Sequence, residues 1–215
     1  MTKTIAANNY RGNAIDFEND KIRIPWLTML LDAYETIDKG VVIAIAREEK
    51  RHNIELSCKK GCSNCCKTHK DIPVYPLELT GIYWYCIEKT TDSIRQTLKK
   101  QLDSHKKPAC PFLVNESCSI YPVRPAACRQ FNVFRMECKE GEDPYHTRRG
   151  DVLIPIKEYT DKAFFIMLPF YGITNEKDKN LAIKNNLIHA HVQNLHSIKW
   201  ALLAARMDDF DFKNL

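Results

Sequence analysis

The stretch CKKGCSNCC, residues 58–66, decides how the rest of the sequence is interpreted. Its cysteines follow the pattern C-x3-C-x2-C-C, at Cys58, Cys62, Cys65 and Cys66. Thiols three and four residues apart can converge on one metal ion or cluster from a single loop, and Gly61 permits the tight backbone path that this requires. The spacing therefore predicts a metal-binding loop.

Buried cysteines without metal are the alternative, because free cysteine is among the residues most often found in protein cores. The residues around this loop are polar or charged and offer no apolar surface for thiols to pack against. Cys86, in contrast, lies on the apolar stripe of a predicted helix, and we expect it in the core. For Cys138 both interpretations stay open.

A second group of cysteines, Cys110, Cys118 and Cys128, lies in a segment interrupted by prolines. Prolines restrict the backbone, which lowers the entropy lost when ligands are gathered. Metal would then connect this segment to the loop. Since Cys65 and Cys66 are adjacent, their side chains tend to diverge, so one can serve the loop's site while the other faces a second site or the distal cysteines.

Cationic residues accompany the cysteines and would balance the negative charge of several thiolates on one metal. Arg124 and Arg129 are the predicted cofactor-binding residues, because a guanidinium can donate several hydrogen bonds to sulfur or to backbone oxygen. His69 follows the loop closely enough to replace a cysteine ligand. A basic surface is also conceivable, and it would contain Lys59, Lys60, Lys67 and Lys70.

Composition is that of an ordinary globular protein, with 215 residues, 44% hydrophobic and 27% charged. We predict one domain spanning 1–215. The net charge of +5 gives no indication of nucleic-acid binding. The sequence has no apolar run of signal-peptide or membrane-spanning length, so we expect a cytoplasmic protein without a membrane partner. Nine cysteines in a reducing compartment favour metal over disulfides.

Apolar periodicity predicts a mainly α fold (α+β with little strand), in which irregular cysteine-rich loops surround a metal site and long amphipathic helices flank it. One such helix covers 24–53, with a break conceivable at Gly40, and another covers 176–206. Between them we predict helices that begin at Pro76 and near Asp92, and a short helix from Pro125 past Cys128.

Two short apolar runs favour buried strands, VLIPI at 152–156 and AFFIMLPF at 163–170. The tail from residue 208 onward is expected to fray.

The sequence resembles the YkgJ-type cysteine-cluster family, a zinc- or iron-chelating domain with a CxxCxxCC signature. The residues that carry this resemblance are CKKGCSNCC at 58–66 and CPFLVNESCSIYPVRPAACRQF at 110–131, within a family-like core of about 54–133. The resemblance implies that Arg124, Pro125 and Arg129 belong to the signature. It implies seven chelating residues, Cys58, Cys62, Cys65, Cys66, Cys110, Cys118 and Cys128.

Three functions follow from these observations. The first is a metal-binding protein, holding zinc or an iron-sulfur cluster in a structural, carrier or electron-transfer role; seven grouped thiols slightly favour the cluster. The second is an iron-sulfur enzyme; the family resemblance implies that it works with S-adenosylmethionine, because a related cysteine cluster occurs in flagellin lysine methylases. The third is an interaction module stabilised by zinc. The sequence identifies no protein partner and does not decide whether the chain is catalytic.

Overall fold

The computed structural model describes residues 17–59, 61–104 and 108–214, and in this part of the chain helices dominate. The predicted mainly α fold with little strand is therefore confirmed. The single-domain prediction over 1–215 extends to residues outside those described. The α-helices are α1 (Glu18–Arg23), α2 (Pro25–His52), α3 (Asn64–Thr68), α4 (Pro76–Glu88), α5 (Asp92–Asp103), α6 (Ala126–Gln130), α7 (Pro144–Thr147), α8 (Lys157–Met167), α9 (Glu176–Lys184) and α10 (Ala201–Lys213).

Strands are short and form two antiparallel pairs. Their bounds are β1 (Pro73–Val74), β2 (Leu113–Val114), β3 (Ser117–Cys118) and β4 (Gln193–Asn194). β2 and β3 form a hairpin whose two turn residues, Asn115 and Glu116, both have positive φ (48° and 59°), as a two-residue turn between right-twisted strands requires. β1 pairs with β4 and so joins the middle of the chain to its C-terminal part.

The long helix α2 confirms the helix predicted over 24–53. Pro25 occupies its first turn, and its buried stripe includes Leu30, Ile37 and Ile45. The helix continues without interruption through Gly40, where α8 packs so closely that a Cβ would lie 2.5 Å from the Cβ of Tyr159. The glycine therefore serves the contact between the two helices and does not break α2.

The helices predicted from Pro76 and near Asp92 are present as α4 and α5, and α6 is the short helix predicted after Pro125. Both predicted strands are wrong. AFFIMLPF lies in α8 and in the 3-10 helix Leu168–Tyr171, while VLIPI contributes only an isolated bridge between Val152 and Val133. A short apolar run does not distinguish a strand from a buried helix, and here Ala163, Phe164 and Met167 face the core at helical spacing.

The helix predicted over 176–206 is also wrong as one continuous element. The helix α9 ends at Lys184 with Asn185 as its C-cap, and Asn186 adopts a left-handed conformation (φ 53°). The backbone then forms the 3-10 helices Leu187–His191 and Leu195–Ser197 on either side of β4. α10 resumes at Ala201 and continues to Lys213, so most of the tail expected to fray is helical.

The buried apolar residues of these helices form one core cluster that includes Leu27, Leu77, Leu98, Phe112 and Leu203. None of the helices in the described ranges is both long and apolar enough to cross a membrane. The cysteine-rich segments lie beside this core, between α2, α4 and the irregular chain from 133 to 151.

Candidate metal centre

The cysteine loop is held by its own backbone before any ligand is considered. Gly61 has φ +86°, and the N–H of Cys62 donates to the carbonyl of Lys59 at 3.0 Å, which closes the first turn. The chain then enters α3, one short helix that contains Cys65 and Cys66. The sequence predicted a loop throughout this segment, whereas the structure has a helical turn here. The turn places the two adjacent thiols at neighbouring positions of one helix.

The loop meets the second group of cysteines directly. The N–H of Cys110 donates to the carbonyl of Cys66 at 2.7 Å, and the Ser63 hydroxyl donates to the Glu116 carboxylate at 3.4 Å. Lys67 forms an ion pair with the same carboxylate. Glu116 lies in the β2–β3 turn, so the hairpin that carries Cys118 is connected to the loop by polar contacts.

Four thiols face one another on the inner side of this junction. They are Cys66, Cys110, Cys118 and Cys128. A hydrogen bond with the Cys110 side chain raises the pKa of Cys66. Burial raises the pKa of Cys118 to about 11, and burial together with the nearby charges of Cys65 and Cys118 raises the pKa of Cys128. These raised pKa values favour the protonated thiols of Cys66, Cys118 and Cys128 when no cation compensates their charge.

Three more thiols, those of Cys58, Cys62 and Cys138, lie on the outer side. They line a cavity of about 30 Å³ with Asn64, Val133 and Glu137. Burial raises the pKa of Cys58 to about 12, although the Val133 N–H donates to its sulfur at 3.3 Å and opposes that rise. Cys138, left open by the sequence, thus lies beside two cysteines of the loop.

Cys65 lies between the inner and the outer thiols, and its charge acts on members of both groups. A hydrogen bond with the Cys66 side chain raises its pKa well above the ordinary value, and burial adds to this rise. All nine cysteines are free thiols. Among the described residues, no three cysteine, histidine or acidic side chains yet surround one point in a ligating arrangement.

The two predicted cofactor-binding arginines contact the backbone around the inner thiols. Arg129 donates to the carbonyls of Pro122 (2.5 Å) and Arg124 (3.1 Å) and to the Asp38 carboxylate (2.6 Å). Arg124 donates to the Tyr121 carbonyl at 3.0 Å, and its guanidinium lies over the aromatic ring of Tyr121. Their positive charges also lower the pKa of Cys118, against the larger effect of burial. Both arginines thus shape the segment between two cysteines and face its thiols.

The other candidates from the sequence contact partners other than the thiols. The His69 ring packs edge-on against the Phe131 ring, with the ring centroids 4.1 Å apart. Its Nδ1 atom lies 3.6 Å from the Asp143 carboxylate, and its Nε2 atom is buried without a hydrogen-bond partner among the described residues. Cys86 is fully buried in the apolar core, as predicted. Lys59 pairs with Glu137, whereas Lys60 lies outside the described residues.

Two charged residues that sequence reasoning missed support the site. Glu78 is fully buried and accepts hydrogen bonds from the N–H groups of Tyr75 (3.0 Å) and Ala126 (2.7 Å), which ties α4 to the start of α6 and its Cys128. The residue three positions before Glu78 is Tyr75, which does not match the sequence signature of a capping box, so no local pattern indicated this role. Arg148 donates to the Met136 carbonyl at 2.9 Å and approaches the Cys138 sulfur at 3.8 Å.

The donor set fits zinc or iron, because thiolates are the ligands that both zinc and iron-sulfur clusters take in proteins. The pKa of Cys65 is raised by its hydrogen bond with Cys66, and that of Cys66 by its hydrogen bond with Cys110; a cation that replaces the protons would favour the thiolates. A search of curated proteins and a search of solved structures found no match. Residues 57–149, which contain all eight clustered cysteines, match the CxxCxxCC family model, described as "Putative zinc- or iron-chelating domain", and this match supports metal binding by this part of the chain.

Proposed function

We propose that this protein holds zinc or an iron-sulfur cluster through Cys58, Cys62, Cys65, Cys66, Cys110, Cys118 and Cys128, in a structural, carrier or electron-transfer role. The observation that carries the proposal is the junction between Cys66 and Cys110, whose backbones are hydrogen-bonded at 2.7 Å and whose thiols also interact. Cysteines that are distant in sequence are adjacent there.

Metal binding at this junction exchanges protons for a cation. Burial and neighbouring sulfur charges raise the pKa values of Cys58 and Cys118, which favours the protonated thiols at these two positions in the metal-free chain. Zinc or iron requires thiolates, so binding releases those protons and removes the repulsion among the sulfurs. The binding free energy then adds to the stability of the folded chain.

The segments that metal would connect have little other support. Residues 108–131 contain only a two-residue hairpin, a 3-10 turn and the one-turn helix α6. Backbone that lacks regular hydrogen bonding opens easily, so a cation between the loop and this segment would order both. Thiol ligands also require a reducing environment, which supports a cytoplasmic location.

Arg124 and Arg129 are proposed as residues that stabilise the bound group. Arg129 holds the chain between Cys118 and Cys128 in one conformation, and both guanidinium charges offset negative charge on the sulfurs. Such supporting contacts orient metal ligands, and their loss typically lowers metal affinity about 10- to 100-fold.

Anaerobic purification followed by elemental analysis and visible absorbance tests the proposal and identifies the metal. A structural zinc site gives a colourless protein with stoichiometric zinc. An iron-sulfur cluster gives a brown protein with iron, sulfide and absorbance in the visible. A folded protein with neither metal, purified from cells supplied with both, would overturn the proposal.

A further inference from the structure

The eight clustered thiols divide into two groups on opposite sides of Cys65. Cys58, Cys62 and Cys138 line one cavity, and the charges of Cys62 and Cys138 act on Cys58. Cys66, in contrast, interacts with Cys110 and Cys118. A single site would bring all of these sulfurs to one point, whereas the structure gives each group its own neighbours.

Backbone pairing brings Cys138 to the outer side. The N–H of Ser57 donates to the Val133 carbonyl at 2.8 Å, and that of Arg135 donates to the Glu55 carbonyl at 2.9 Å. The chain from 133 onward therefore runs beside the residues that lead into the cysteine loop. Farther along, the Asn64 side chain donates to the Cys138 carbonyl at 2.8 Å, which fixes Cys138 next to the start of α3.

The cavity between Cys58, Cys62 and Cys138 has the size for one ion. Its volume is about 30 Å³. One water molecule needs roughly 10–15 Å³ of such space, so a single metal ion with a small ligand fits. Cys62 is exposed, so its side chain can turn toward an ion in the cavity without disturbing the core.

Donors for thiolate ligands surround the outer group. The Val133 N–H points at the Cys58 sulfur, and the Arg148 guanidinium lies beside the Cys138 sulfur. Arg148 is itself held by Glu142 at 2.8 Å and by Asp151 at 3.2 Å. Such fixed donors are typical of the residues that orient metal ligands and offset their charge.

We propose that Cys138 joins Cys58 and Cys62 in a second, separate site for one thiophilic divalent ion, such as zinc, with Cys65 as its fourth ligand. Cys66, Cys110, Cys118 and Cys128 then form the inner site. This inference rests on the proposed function. Structural zinc sites take four ligands, and eight thiols supply two complete sets. From the sequence, seven grouped thiols favoured an iron-sulfur cluster, because seven ligands do not divide into sets of four. With Cys138 as the eighth ligand, this argument no longer applies.

The test counts metal in the full chain, expressed in medium supplied with Co²⁺ and iron and purified anaerobically. Cobalt on several thiolates gives intense visible absorbance, which reports ligation without any activity. We expect Cys138→Ser and Cys62→Ser to carry one metal equivalent fewer than the wild type and to lose cobalt-thiolate absorbance. Cys86→Ser, a cysteine outside both groups, should keep the wild-type content.

Each outcome separates this inference from the proposed function. Wild type without any bound metal overturns both. Wild-type metal content in Cys138→Ser and Cys62→Ser overturns the second site and leaves the first intact. Loss of all metal in either variant, with circular dichroism showing that it is folded, indicates one shared site and also overturns the inference. Cys62 is exposed, so its variant gives a result even if Cys138→Ser does not fold.

Discussion

The backbone N–H of Cys110 donates a 2.7 Å hydrogen bond to the carbonyl oxygen of Cys66. This bond joins the one-turn helix of the cysteine loop to the start of the proline-rich segment, beside the side-chain contact of the same two thiols. The fold therefore brings the two ligand segments together, and a metal would have to order side chains already near one another.

Ligand cysteines and core cysteines should respond differently to substitution. Cys62→Ala removes an exposed thiol with no packing role, so it should lower the bound metal and the melting temperature together. Cys86→Ala removes a fully buried thiol from the core, so it should cost about 1 kcal/mol of packing and leave the metal content unchanged. Elemental analysis and thermal unfolding of both variants check this prediction.

Equal metal loss in Cys62→Ala and Cys86→Ala would show that the ligand set is drawn wrongly. A fall in melting temperature for Cys62→Ala without metal loss would instead assign a packing role to the exposed thiol.

Arg129 connects the inner cysteine segment to α2 through its ion pair with Asp38 and its position 4.0 Å above the Tyr34 ring. Replacing it by Met leaves the Asp38 carboxylate and two carbonyls without their donor. We expect a loss of about 3 kcal/mol in the free energy of unfolding, measured with urea.

Arg149→Met is the matched control, because Arg149 is exposed and also lies above a tyrosine ring, that of Tyr145. It should change stability by no more than about 0.5 kcal/mol. Equal effects of the two substitutions would contradict the role given to Arg129.

Gly40 should not tolerate a methyl group, although it lies in the middle of a helix. Helix propensity alone predicts that Gly40→Ala stabilises the protein by about 1 kcal/mol. A Cβ at this position would lie 2.5 Å from Tyr159 Cβ and 2.7 Å from Tyr159 Cγ, so α8 would have to move. We expect destabilisation of about 1–3 kcal/mol by urea unfolding, and a stabilised variant would contradict the close packing of α2 and α8.

The buried carboxyl of Glu78 should make stability depend on pH. Burial raises the pKa of Glu78 from the ordinary 4.5 to about 7, against the opposing N–H donors of Ala126 and Tyr75. Between these two values the folded chain binds a proton that the unfolded chain has lost. Proton binding by Glu78 therefore contributes to the free energy of unfolding in full below pH 4.5, and this contribution is lost as the pH rises through 7. The change is on the order of 3 kcal/mol.

Glu78→Gln cannot titrate, so it isolates this effect from the thiols, which titrate in both proteins. The difference in unfolding free energy between variant and wild type, measured from pH 5 to 8, should move in favour of the variant as the pH rises. A difference that is constant with pH would show that Glu78 titrates normally. The substitution also removes a carboxylate that accepts hydrogen bonds. This loss changes the difference in unfolding free energy by the same amount at every pH, so it does not affect the pH dependence.

The sequence predicted those parts of the fold in which local signals agree with tertiary contacts. Pro25 and the stripe through Ile45 define α2, and Pro76 begins α4. The run AFFIMLPF failed because its composition suits a strand, whereas its packing against α2 requires a helix. Asn185 and Asn186 are residues typical of a helix end and lie within the predicted C-terminal helix. The sequence prediction gave more weight to the apolar residues on either side of them.

For the candidate site, spacing identified the cysteine groups but not their neighbours. Cys138 lies beside Cys62 only because residues 133–135 pair with the chain before the loop, a long-range contact without a local signal. The same holds for Arg148, whose approach to the Cys138 sulfur depends on the turn that begins at α7. Functional residues that depend on such pairing are visible only in the folded chain.

Hydrogen exchange with and without metal tests most directly whether metal connects the two cysteine segments. The full chain, kept reduced, is compared before and after chelation by mass spectrometry of its peptides. We predict that peptides covering 61–69 and 108–131, which include the Cys110 amide, lose protection together on chelation, while peptides of the Pro25–His52 helix change little. Identical exchange in both states, or a change confined to one cysteine segment, would contradict this account.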